Sequence, residues 1–157
     1  MKTRHLLLVG LIGSFTIFTS CNDETTTETG ETSTETTETN TEGTDPKGIG
    51  KFQNVELTNP LDQSMVSNGK NIYEVKCMSC HKLNDERIVG PGFEGVTNRR
   101  TPEWIMNFVT NTDEMIEKDT AAQRMLEQCL VRMPNQGLSD DDARHVLEYL
   151  RHNDGVK

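Results

Sequence analysis

Apolar positions follow three regimes along this chain. Residues 6–18 (LLLVGLIGSFTIF) form a nearly unbroken apolar run. Residues 22–48 contain no Leu, Val, Phe, Tyr or Trp, so no periodic face can be drawn through them. Beyond residue 59 the pattern becomes helical. Met65, Gly69, Ile72, Tyr73 and Lys76 fall at 3.6-residue spacing, with Asp62 or Ser64 placed to cap the helix they predict. Gly69 inside it costs about 1 kcal/mol relative to Ala; a helix crossing close by would account for it. Thr101, Pro102 and Glu103 read as N-cap, first-turn proline and first-turn acid of a second helix with Trp104, Ile105, Phe108 and Val109 on one face. Ala121, Ala122, Met125, Leu126 and Cys129 predict a third. Ser139 with Asp142 resembles a capping box, and Asp140, Asp141 and Asp142 lie where the helix dipole favours anions at the start of a last helix carrying Val146 and Tyr149. No stretch alternates as a strand does. The expectation is an all-α domain of four to five short helices, with a thin core for about 100 residues.

Composition changes the picture by showing where folding stops. The chain has 157 residues, 32% of them apolar and 26% charged, with a formal net charge of -9, which allows one domain of ordinary size. Residues 1–21 carry +2, residues 22–48 carry eight acids against one Lys, and residues 49–157 carry -4. Most of the acidity therefore belongs to the apolar-free segment, and the domain has no basic stripe on which nucleic acid could neutralise its phosphates. Nucleic acid is not an expected partner.

The N-terminus reads as an address. Lys2 and Arg4, the apolar run, and small Thr19 and Ser20 before Cys21 have the order of an export signal, and the run is short for a membrane span. A cysteine directly after small residues resembles the lipobox of bacterial lipoproteins, which implies a signal over 1–20 and a lipid anchor on Cys21. An ordinary secretory signal cleaved nearby is the other reading. Residues 22–48 hold eleven Thr and six Glu in a near repeat, which cannot offset the entropy of ordering the backbone. Residues 21–58 are thus expected to be a solvated tether, holding the domain of residues 59–157 roughly 30 Å from the bilayer. The expected location is the periplasmic side of a bacterial membrane, inner or outer.

The candidate chemistry lies in Cys77, Met78, Ser79, Cys80 and His81, a CxxCH motif, the signature of covalent haem attachment. Two thiols three residues apart on one turn reach the two vinyl groups, and the next residue sets an imidazole beneath the iron. A redox disulfide or half a zinc site, completed by Cys129 with His145 or His152, are the alternatives for a bare CxxC. One haem would also supply the apolar plate that a thin core lacks. Of seven methionines, Met133 stands out as sixth ligand. It precedes Pro134 in VRMPNQGLSDDD, irregular backbone able to carry a thioether to the distal side, whereas Met106, Met115 and Met125 sit in helical apolar patterns. Cys129, on such a pattern, is expected to be a small core residue.

These motifs together resemble a class I cytochrome c over residues 59–153. Gly69 and Tyr73 match the family's N-terminal helix, Val146 and Tyr149 the C-terminal helix that crosses it, and Met133 with Pro134 the distal ligand. Gly90 and Pro91 match the segment whose proline carbonyl accepts a hydrogen bond from the haem-ligating histidine. The resemblance implies the cytochrome c fold around one covalent haem c, with Cys77 and Cys80 as anchors and His81 and Met133 as iron ligands. It adds Trp104 as a donor to a haem propionate, core packing being the alternative for that residue. Arg99 and Arg100 are either propionate partners or a solvated face. His/Met ligation saturates the iron and raises its potential, so the expected function is a monomeric, membrane-tethered electron carrier and not an enzyme. A quinol-oxidising complex would be its donor, and a terminal oxidase or periplasmic reductase its acceptor. A haem-based ligand sensor or peroxidase-like enzyme with a labile distal site is the alternative, and a subunit of a larger complex the third.

Overall fold

A computed structural model describes residues 45–157. The expected signal, the expected lipid attachment at Cys21 and most of the expected tether lie outside the described residues. The described residues form six helices: α1 (Gln63–Lys76), α2 (Val96–Arg99), α3 (Pro102–Thr110), α4 (Thr112–Lys118), α5 (Thr120–Cys129) and α6 (Asp140–Asn153). No strand occurs among them beyond an isolated bridge between His81 and Arg87. The fold is all-α, as expected, with six helices among the described residues where four to five were predicted. The surplus comes from α2, a single turn, and from α4, which Asn111 separates from α3 by serving as C-cap of one and N-cap of the other.

The long helices start where the side chains can satisfy their free N–H groups. Asp62 accepts from Ser64 and Met65 at 2.8 and 3.0 Å, Thr101 accepts from Trp104 at 3.1 Å, and Ser139 and Asp142 form the reciprocal capping box. α1 and α6 cross with almost no clearance: a Cβ on Gly69 would overlap the His145 carbonyl and the Tyr149 side chain. That approach lets Tyr73 and Tyr149 pack at 5.6 Å between ring centroids. The main core, Trp104, Ile105, Met106, Phe108, Met115, Ile116, Ala122, Ala143, Val146, Leu147 and Leu150, joins α3, α4 and α5 to the inner face of α6.

The folded domain begins earlier than residue 59, which corrects the tether boundary at 58. Residues 46–58 form a strap across α3 and α4. Asn107, fully buried on the apolar face of α3, donates through Nδ2 to the Lys47 and Phe52 carbonyls and accepts from the Phe52 N–H, all at 2.9 Å. Val55 N–H donates to Glu103 at 2.9 Å, and Ile49 N–H lies 2.9 Å from the Met115 sulfur. Gly48, at φ +68, passes where any side chain would strike Met115. Ile49, Phe52 and Val55 add modest apolar contact, but backbone hydrogen bonds to buried side chains hold the strap, and hydropathy does not register these. Its end is fixed by Glu148, 0% exposed, which accepts from the Thr58 hydroxyl, from Asp62 N–H at 3.2 Å, from Arg144 at 2.6 Å and from Arg151 at 2.9 Å.

Candidate functional site

Cys77 is the C-cap of α1, its N–H bonded to the Tyr73 carbonyl. The chain then turns tightly: Cys80 and His81 N–H groups both return to the Cys77 carbonyl, at 3.0 and 2.9 Å. Tyr73 closes the turn from inside by donating its hydroxyl to the His81 carbonyl at 2.8 Å. Both thiols are free of disulfides. Burial pushes the Cys77 thiol up to about 11, with Lys76 pulling it down and Cys80 raising it, so it is a protonated thiol at neutral pH.

His81 is 8% exposed, and three neighbours fix its ring. Its Nδ1 lies 2.8 Å from the Pro91 carbonyl oxygen. A carbonyl only accepts, so Nδ1 carries the proton and the lone pair is left on Nε2. The Phe93 ring stacks on the imidazole at 4.5 Å and 11°. Gly90 passes so near that a Cβ would overlap the ring. The loop bearing these residues is pinned by Gly90 N–H to the Cys80 carbonyl at 2.9 Å and Phe93 N–H to the Lys82 carbonyl at 2.8 Å. Burial lowers the His81 pKa, partly offset by the Pro91 hydrogen bond, so the imidazole is neutral at pH 7. Two undisulfided thiols on one turn beside a neutral imidazole with its outer nitrogen free form the donor set that a covalent haem requires.

Met133 is half-buried and packs against the main core from the loop between α5 and α6. Trp104 is buried, stacks on Phe108 at 5.0 Å and donates its indole N–H to Asp119 at 3.3 Å. That contact, with the Phe108 stacking, holds Trp104 in the core. Arg100 lies over the Trp104 ring at 4.6 Å, and Arg99 bonds the Glu94 carbonyl. Cys129 is half-exposed in the last turn of α5, not in the core. Among the described residues no group of three or more His, Cys, Asp or Glu is placed to hold a metal ion, so Cys129, His145 and His152 do not complete a zinc site with the CxxC pair. Sequence reasoning missed Phe93, Asn107 and Asp119. Phe93 was within sight as the aromatic of VGPGFEGV, whereas polar Asn107 and Asp119 gave no signal of what they hold.

The family described as Cytochrome c matches residues 66–154. No curated protein matches the chain. Among solved structures, a cytochrome c from Rhodothermus marinus is 32% identical, with a TM-score of 0.67 over 70% of this chain and 97% of its own. An engineered form of that cytochrome, also 32% identical, gives a TM-score of 0.66 over 70% of this chain and 98% of its own. The same engineered protein bound to a carbene intermediate is 32% identical and gives 0.63 over 70% and 98%.

Proposed function

This chain belongs to the cytochrome c family and binds haem c covalently through its cysteine pair, and from that premise we propose that it is a membrane-tethered, mono-haem electron carrier with His81 and Met133 as its iron ligands. The haem supplies one-electron exchange at iron. The protein's residues fix the setting. Cys77 and Cys80 would hold the ring through thioether bonds. His81 offers Nε2 in one orientation, because the Pro91 carbonyl accepts a hydrogen bond from Nδ1–H while Gly90 and Phe93 leave the ring no room to turn. Met133 supplies a soft thioether, and Tyr73 and Phe93 exclude water around His81. The observation that carries this reading is the His81–Pro91 hydrogen bond, which raises the basicity of the ligating nitrogen and holds its direction.

Anchoring through an acylated Cys21 fits the export pattern of residues 1–21 and a domain without a membrane-crossing helix among the described residues. Such a tether raises the effective concentration of the carrier beside its partners, a quinol-oxidising complex as donor and a terminal oxidase or periplasmic reductase as acceptor. Incorporation of labelled fatty acid into the wild type and its loss in Cys21→Ser test the anchor.

Ligand binding or catalysis at the haem is the second reading, favoured by the engineered relative that is bound to a carbene intermediate. Carbon monoxide added to the reduced protein separates the two. A carrier with both axial positions filled binds it slowly; rapid, stoichiometric binding without denaturant would establish an open site and overturn the carrier.

A further inference from the structure

The loop that carries Met133 has almost no structure of its own. Residues 131–138 make no backbone hydrogen bond to the backbone of any described residue; internally, Gly137 N–H bonds the Asn135 side chain at 2.9 Å and the Gln136 side chain bonds the Pro134 carbonyl at 3.1 Å. Met133 and Leu138 pack inward. Two cations grip the loop from opposite ends. Lys76, immediately before Cys77, reaches over from α1 and donates to the Gln136 carbonyl at 2.9 Å. Arg132, immediately before Met133, bonds the Asp113 carboxylate at 3.1 Å and the Asp113 carbonyl at 3.3 Å, with Glu117 at 3.6 Å, so it ties the loop to α4.

We propose that Lys76 and Arg132 are positioning residues that latch the Met133 loop, and that opening of this latch sets how fast an external ligand reaches the haem. The inference rests on Met133 as sixth ligand. Its physical basis is local stability. A segment without backbone hydrogen bonds opens on its own, at a free energy set by its few contacts and below that of the helices. Both grips are exposed, and each shifts the opening equilibrium by the modest factor that such contacts carry, roughly two- to fivefold. Access to the site scales with the open fraction, so the same factor passes into the binding rate.

The experiment uses the ferric, haem-loaded full chain, with imidazole as probe and stopped-flow mixing. Lys76→Met and Arg132→Met should each speed imidazole binding roughly two- to fivefold, the double variant by about the product, and Lys76→Arg should restore the wild-type rate. Cleavage within residues 131–138 in limited proteolysis should rise by about the same factor while amide exchange in α6 and the thermal midpoint stay put. An unchanged rate in the double variant overturns the latch, as does a rise in amide exchange in α6 that matches the rise in loop cleavage, which marks a general structural role. Met133→Ala separates the two levels of the argument. If it does not accelerate imidazole binding, the ligation by Met133 has failed; if it does while the latch variants do nothing, only the latch has.

Discussion

Gly90 lies against the His81 imidazole so closely that one added methyl group would occupy the space of Cε1, while the carbonyl of the next residue, Pro91, accepts a hydrogen bond from Nδ1 at 2.8 Å. Two consecutive residues thus set both the position and the tautomer of the ligating ring. Gly90→Ala is expected to push the ring off its Nε2 direction and cost about 1–3 kcal/mol as an overpacked core site. The yield of haem-loaded protein and its thermal midpoint check this; an unchanged midpoint with full loading would show that the ring has room.

Gly69→Ala places its methyl group into the His145 carbonyl where α1 crosses α6. Helix propensity alone favours Ala by about 1 kcal/mol, so the sign of the effect discriminates. Chemical denaturation should show a loss of about 1–3 kcal/mol, and a gain would mean that the crossing is looser than described.

Asn107→Ala removes three hydrogen bonds to the strap. At roughly 0.5–1.5 kcal/mol for each bond, the strap should detach before the core unfolds. Limited proteolysis is expected to cut within residues 46–58 in the variant and not in the wild type, with the visible haem spectrum unchanged. Equal protection in both would place the strap's stability elsewhere.

Glu148 links the acid limb of stability to the α6–strap junction. Burial raises its pKa, but hydrogen bonds from Thr58, Arg144 and Arg151 outweigh that and hold it below the ordinary value of 4.5. The unfolded state therefore binds the proton more readily, and the stabilisation is complete above 4.5 and lost as pH falls through the folded value. Glu148→Gln should flatten the acid limb of a stability–pH curve while lowering the plateau at neutral pH, because it leaves two arginines without their carboxylate. A variant with the wild-type acid slope would contradict this.

Leu130 ends α5 in the left-handed region at φ 57 while 84% exposed. A side chain there costs roughly 1–2 kcal/mol in local strain and, so exposed, gains little from burial. Leu130→Gly is expected to raise the thermal midpoint by a few degrees; a fall would show that the leucine contributes packing.

What the sequence discloses follows the range over which each signal acts. Asp62, Thr101 and the Ser139–Asp142 box are local devices, and all three cap helices as read. The Gly69 crossing was inferable because a glycine inside a helical pattern needs a reason. α2 and α4 were not legible, since four and seven residues are too few to define a period. The strap escaped because Asn107, a polar residue on an apolar face, gives no hint that it binds a segment about 55 residues away. Trp104 illustrates the same limit: its burial was readable, but the acceptor of its indole N–H, Asp119, depends on how α3 packs beside the start of α5. At the site, CxxCH is a contiguous signature and Pro91 follows from family likeness, while the stacking of Phe93 on His81 depends on a loop returning over the ring.

The most direct measurement is the visible and near-infrared spectrum of the ferric protein beside that of Met133→Ala. With His81 and Met133 both on the iron, the wild type shows low-spin bands and a weak methionine–iron charge-transfer absorption, and the variant loses that absorption and becomes high-spin. A wild type that is high-spin at neutral pH, or a charge-transfer band that survives in Met133→Ala, would contradict His/Met ligation and with it the electron carrier built on it.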